Sequence, residues 1–168
     1  MKLRNFKDIS NIYYINLKHR KDRHTHILNQ LEIMEIKEKA QRFNAIKMLN
    51  GAVGCTMSHL KILQYALDNK LNHILIMEDD ITFTKPDTLK QQFNKFLITH
   101  ENNWDVILLA GNLIEYIDVE ETCVRVKKCL TTTGYLVNGH YIETLYNNIK
   151  LGLKYLMERP LYKHLYAI

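Results

Sequence analysis

Apolar residues fall into a few short blocks along the chain, each followed by a polar turn and then a stretch with helical spacing. Residues 11–17 (NIYYINL) form the first block and predict a buried strand. The polar run Lys18 to Arg23 follows, and then Ile27, Leu28, Leu31 and Met34 recur at the interval of one helix face. Residues 38–50 lack clean periodicity and predict a loop with a short strand near Phe43 to Ile46. Gly51 and Gly54 predict a turn, and a helix from Cys55 runs through Leu67 to stop near Asp68-Asn69-Lys70.

The second apolar block, His73 to Met77 (HILIM), runs directly into Glu78-Asp79-Asp80. Lys85-Pro86-Asp87 opens another helix, with proline suited to a first turn and Phe93, Phe96 and Leu97 on the apolar face. Asp105 to Ala110 (DVILLA) predicts a third buried strand, closed by Gly111-Asn112. Beyond it, Cys123 to Leu130 and Gly134 to Val137 predict antiparallel or edge strands, and residues 138–156 a final amphipathic helix. Strands alternating with helices predict an α/β domain with a mostly parallel, Rossmann-type sheet flanked by helices on both faces.

The chain has 168 residues, a length that suggests a single domain over 1–168. Two prolines and six glycines exclude long flexible linkers. The formal net charge of +5 draws anions in general. No basic stripe with interleaved aromatics accompanies it, so no nucleic acid partner is expected, and the cluster Lys18-His19-Arg20-Lys21-Asp22-Arg23 is weighed as a phosphate-binding turn against a solvated helix start. The three cysteines have no zinc-finger spacing and are expected reduced. No apolar run reaches the about 20 residues of a transmembrane helix and no secretory signal opens the chain, so a cytoplasmic location is expected.

Three adjacent carboxylates at the end of a buried strand carry the most chemistry. Ligands of open α/β sheets bind at the carboxyl edge, where this strand ends. Neighbouring carboxylates repel, and a divalent cation removes that cost; oxygen ligands suit Mg²⁺ or Mn²⁺. Alternation sends Glu78 and Asp80 to one side, which makes Asp80 the expected metal ligand, Glu78 a partner of a ribose or a metal-bound water, and Asp79 a holder of the loop. A solvated acidic turn is the alternative.

Several stretches resemble glycosyltransferase family 25, the lipopolysaccharide and procollagen galactosyltransferase-like enzymes. They are Tyr14-Ile15-Asn16-Leu17 with Arg20 and Arg23, residues 51–59 (GAVGCTMSH), Ile76-Met77-Glu78-Asp79-Asp80 and Thr133-Gly134-Tyr135. The resemblance implies a glycosyltransferase-A fold, a UDP-sugar donor, Mn²⁺ dependence and inverting transfer to a glycan or a hydroxylysine-type protein acceptor. It places Asn16, Leu17, Arg20 and Arg23 near the nucleotide, and Gly54, Ser58 and His59 along the donor side. Glu78 and Asp80 stand for the metal motif, with Glu78 also toward the donor, and Asp79 and Asp80 are the expected catalytic carboxylates. Asp79, Glu115 and Asp118 are candidate general bases. Family members continue beyond Ile168, so a domain truncated at its C-terminus is expected. The competing expectations are a UDP-sugar-binding or donor-hydrolysing domain with an incomplete acceptor site, and a binding module whose acidic triplet is only a turn.

Overall fold

The computed structural model describes residues 3–158. The strands are β1 (Ile12–Asn16), β2 (Ala40–Asn44), β3 (His73–Glu78), β4 (Val106–Ala110), β5 (Leu113–Glu120), β6 (Cys123–Cys129) and β7 (Gly134–Asn138). The helices are α1 (Lys21–Ile33), α2 (Gly51–Asp68), α3 (Pro86–His100) and α4 (Ile142–Glu158).

Five strands form one sheet in the order β2-β1-β3-β7-β4. β1 pairs in parallel with both β2 and β3, whereas β7 runs antiparallel between β3 and β4. Four strands therefore share a direction and one opposes them, the mostly parallel, glycosyltransferase-A-like arrangement that the sequence predicts. β5 and β6 form a separate two-stranded ribbon.

Alternation along the central strands builds two cores. Ile12, Tyr14, Leu75 and Met77 face α1 and α3, where Ile27, Leu31, Phe93 and Leu97 meet them. Ile15, Ile74, Ile76 and Tyr135 face the other way, onto Ile62, Leu63 and Ala66 of α2 and Ile142 of α4. Helices cover both faces, as expected, because β1 and β3 are apolar on both.

The structure corrects four local expectations. Gly51 to Gly54 is not a turn but the first turn of α2, capped by Asn50, whose side chain accepts from the Ala52 N–H at 3.0 Å. The short strand lies at Ala40–Asn44, because its partner β1 sets the register from Ile12↔Ala40 to Asn16↔Asn44. β4 is an edge strand and only half-buried, and the central place falls to β7, whose residues 134–137 are buried. Residues 113–120 form a strand that the apolar pattern does not signal, since every one of its residues is exposed.

Candidate active site at the carboxyl edge of the sheet

β3 delivers the acidic triplet to the carboxyl edge, and the three side chains go to three different places. Asp79 turns inward and is 6% exposed. Its Oδ2 accepts from Nδ2 of Asn16 at 2.7 Å and its Oδ1 from Nη1 of Arg23 at 3.0 Å. Asp80 stays at the surface, with Oδ2 also 3.0 Å from Nη1 of Arg23. Glu78 points toward α2, where its Oε1 lies 3.7 Å from Nε2 of His59. Its backbone N–H donates to the carbonyl of Thr133 at 2.7 Å, which ties the triplet to the entry of β7.

Asn16 is the junction beneath the triplet. Buried at the end of β1, it donates to Asp79 and to the carbonyl of Arg20, and it accepts from Nε of Arg42 on β2. Each of its hydrogen-bonding groups reaches a different segment, so one side chain sets the spacing of β1, β2, the basic turn and β3. Leu17 follows it half-buried, and its carbonyl accepts from the Arg20 N–H at 2.9 Å to close that turn.

The basic residues divide their work. Arg20 forks onto Asp22 through Nε and Nη2, with the shortest contact at 2.6 Å, and this hydrogen-bonded pairing holds the Asp22 carboxyl well below the usual carboxylate range. Arg23, one turn into α1, reaches back to bridge Asp79 and Asp80. Two further α1 residues on the same side secure the loop after the triplet. His26 Nε2 is hydrogen-bonded to the carbonyl of Ile81 at 2.8 Å, and Gln30 accepts from the Phe83 N–H at 2.8 Å. Arg23, His26 and Gln30 stand at i, i+3 and i+7, so one helix stripe grips residues 79–83. Sequence reasoning missed His26 and Gln30, although polar side chains bordering the apolar positions Ile27 and Leu31 were the available signal.

On the other flank of the triplet, α2 supplies Gly54, Ser58 and His59. Gly54 is buried where a Cβ would meet the carbonyl oxygen of Ile46, so only glycine allows α2 to pack on that loop. Ser58 is sealed from solvent; its hydroxyl donates to the Gly54 carbonyl at 2.8 Å and accepts from the Ile46 N–H at 2.9 Å. It ties the start of α2 to the loop at Ile46 rather than presenting a hydroxyl to a ligand. His59, 5% exposed, is hydrogen-bonded through Nδ1 to the hydroxyl of Tyr135 at 2.8 Å, with the two rings stacked. Its Nε2 has no hydrogen-bond partner. Cys55 completes this corner, one of its group's donor atoms lying within 4.8 Å of those of His59 and Glu78, and burial pushes its thiol up to about 11.

The remaining candidates have other surroundings or other tasks. Asp79 has both oxygens engaged by Asn16 and Arg23, which makes it the anchor of the turn. Glu115 and Asp118 stand exposed on β5, opposite Lys128 and Val124. Tyr135 is buried in β7, and His140 is hydrogen-bonded to Asp105 at 2.9 Å. The cysteines are free. A surface hollow of about 480 Å³ is lined by Asn72, Asn138 and His140 at the amino end of β3, away from the edge that open α/β sheets use for ligands.

The family model described as glycosyltransferase family 25 (LPS biosynthesis protein) matches residues 47–159, more than half of the chain and inclusive of α2, the triplet and β7. The chain belongs to glycosyltransferase family 25. This family 25 chain is 29% identical to procollagen galactosyltransferase 2 of Homo sapiens, an alignment that covers 77% of the chain and 24% of the relative. The Mus musculus protein of the same name is 30% identical with the same coverage. A glycosyltransferase 25 family member of Anopheles gambiae is 23% identical over 92% of the chain and 30% of the relative. The chain thus spans about a quarter of the length of these curated relatives. Among the described residues, no helix is long and apolar enough to cross a membrane.

Proposed function

We propose that this domain binds a UDP-sugar along the carboxyl edge of the sheet and transfers its hexose, with inversion, to a hydroxyl of a glycan or protein acceptor. UDP-galactose and UDP-glucose are the donors to test first, since two relatives are named galactosyltransferases. The observation that supports this reading most is the division of labour within the triplet. Asp79 is the buried anchor, which leaves Glu78 and Asp80 as carboxylates at the edge where a donor would lie.

These residues fit a divalent cation. Asp80 has its side chain 44% exposed and one oxygen free of Arg23, and both groups offer the hard oxygen donors that Mn²⁺ and Mg²⁺ take. Glu78 and Asp80 would hold the ion, which when bound supplies charge neutralisation for a diphosphate leaving group. The protein's own residues set the stage. Arg23 lies between Asp79 and Asp80, 3.0 Å from an oxygen of each, and offsets the repulsion between them. Asn16 fixes Asp79, and the α1 stripe fixes the loop behind it, so Asp80 is presented from a rigid turn. His59 bounds the far side of Glu78 and limits the directions its carboxylate can take.

The test is UDP release from a panel of UDP-sugars with and without Mn²⁺ and with glycan and protein acceptors, comparing the wild type with Asp80→Asn. Acceptor-dependent release that requires Mn²⁺ and falls in the variant supports transfer. Equal release by the two proteins contradicts the assignment of Asp80.

A further inference from the structure

The tip of the β5–β6 ribbon is a second place where ligand-type side chains converge. His100 closes α3, Glu120 ends β5 and Cys123 opens β6. One donor atom from each, an imidazole nitrogen, a carboxylate oxygen and a sulfur, lies within 4.8 Å of the other two. Nε2 of His100 is 2.6 Å from Oε1 of Glu120, and Sγ of Cys123 is 3.5 Å from the same oxygen. Thr122 donates its hydroxyl to that oxygen at 2.6 Å. The His100 ring is packed on Phe96, with centroids 4.4 Å apart. The ribbon pairs only with itself, and β5 is exposed along its whole length, so this cluster is a point of attachment between the ribbon and a helix.

We propose that His100, Glu120 and Cys123 form a binding site for a borderline-soft divalent cation of the zinc type, which staples the ribbon tip to the end of α3. The donor set decides the class of ion. A nitrogen, an oxygen and a sulfur together suit Zn²⁺ or Co²⁺, whereas Mg²⁺ and Mn²⁺ favour oxygen. Three protein ligands leave a fourth tetrahedral position for water. The thiolate is the ligand, so binding releases the Cys123 proton to solvent. Without an ion, burial and the neighbouring Glu120 carboxylate push that thiol up; a divalent charge between them reverses the balance.

The staple has a structural consequence at the triplet. β6 leads through residues 130–133 into β7, and the Thr133 carbonyl holds the Glu78 N–H. A ribbon fixed at its tip restrains the connection that borders Glu78. The two ion positions remain separate, because α3 carries the chain 15 residues, about 22 Å, away from the triplet edge.

Co²⁺ titration of the full chain tests the site, read by the thiolate-to-cobalt charge-transfer band in the near ultraviolet. The expected result is a saturating band at one Co²⁺ per chain, displaced by Zn²⁺, retained in Cys55→Ser and Cys129→Ser and abolished in Cys123→Ser. His100→Gln weakens binding at least tenfold. Absence of the band in the wild type overturns the proposal, as does a band that survives Cys123→Ser or disappears in Cys55→Ser, which would put the ion beside Glu78. Hydrogen exchange of residues 113–129 supplies the second readout. Slower exchange on adding Zn²⁺ to the wild type but not to Cys123→Ser is expected, and unchanged exchange at saturation refutes the staple.

Discussion

Nε2 of His59, buried and without a hydrogen-bond partner, lies 3.7 Å from Oε1 of Glu78. Opposite it on the same ring, Nδ1 meets the Tyr135 hydroxyl at 2.8 Å. A carboxylate beside Nε2 favours the tautomer with its proton there, in which the tyrosine hydroxyl donates to Nδ1. A buried residue of β7 therefore sets the face that α2 turns toward the acidic triplet.

Tyr135→Phe removes that donor and leaves Nδ1 unpaired in the core. The expected cost is about 1–3 kcal/mol of stability, the penalty of an unsatisfied buried group. Urea denaturation measures it. A variant as stable as the wild type would show that the bond does not fix the ring.

Asp79→Ala strands the amide of Asn16 and one contact of Arg23. Arg23 is partly exposed, so screening tempers the electrostatic part, and a loss of about 1–3 kcal/mol is expected. Asp79→Asn keeps one acceptor and should lose less. If Asp79 were a general base instead, Asp79→Asn would abolish transfer while leaving the unfolding midpoint unchanged.

Gly54→Ala forces a methyl group against the Ile46 backbone carbonyl. Backbone cannot yield as a side-chain end can, so about 1–3 kcal/mol is lost, and UDP-sugar affinity measured by calorimetry should fall with it as the loop at Ile46 shifts.

Stability should also decline with acid through His73. Burial holds its imidazole below the ordinary value, and Nε2 accepts from the Ser10 N–H at 3.1 Å, a role open only to an unprotonated nitrogen. The unfolded chain binds a proton near pH 6.5, while the folded chain binds it only at lower pH. Folding stability from this group is therefore present above about pH 6.5 and is lost as the pH falls below it. Urea midpoints followed from about pH 7.5 to pH 5.5 should fall for the wild type and flatten in His73→Gln.

The sequence made the two-sided core legible because, apart from Asn16 and His73 at their ends, the residues that β1 and β3 bury are apolar on both faces. The triplet was legible for the same reason: HILIM cannot end anywhere but a sheet edge. What was hidden depended on partners distant in sequence. The antiparallel direction of Gly134 to Val137 was expected, but nothing in so short an apolar segment says that it inserts between β3 and β4 instead of lying at an edge. The β5 strand was masked because Leu113, Ile114, Tyr116, Ile117 and Val119 alternate with nothing and stay exposed. The grip of α1 on residues 79–83 needed the fold to bring His26 and Gln30 against backbone groups some 50 residues away.

Donor turnover is expected to depend on Asp80, the carboxylate presented by a turn anchored through Asp79. Mn²⁺-dependent UDP release from UDP-galactose or UDP-glucose by the wild type and Asp80→Asn tests it most directly. A fall of roughly a hundredfold or more is expected in the variant, since a lost metal ligand removes several kcal/mol from the barrier reduction, with an unfolding midpoint close to that of the wild type. Release by Asp80→Asn at the wild-type rate, or wild-type release indifferent to Mn²⁺, would contradict it.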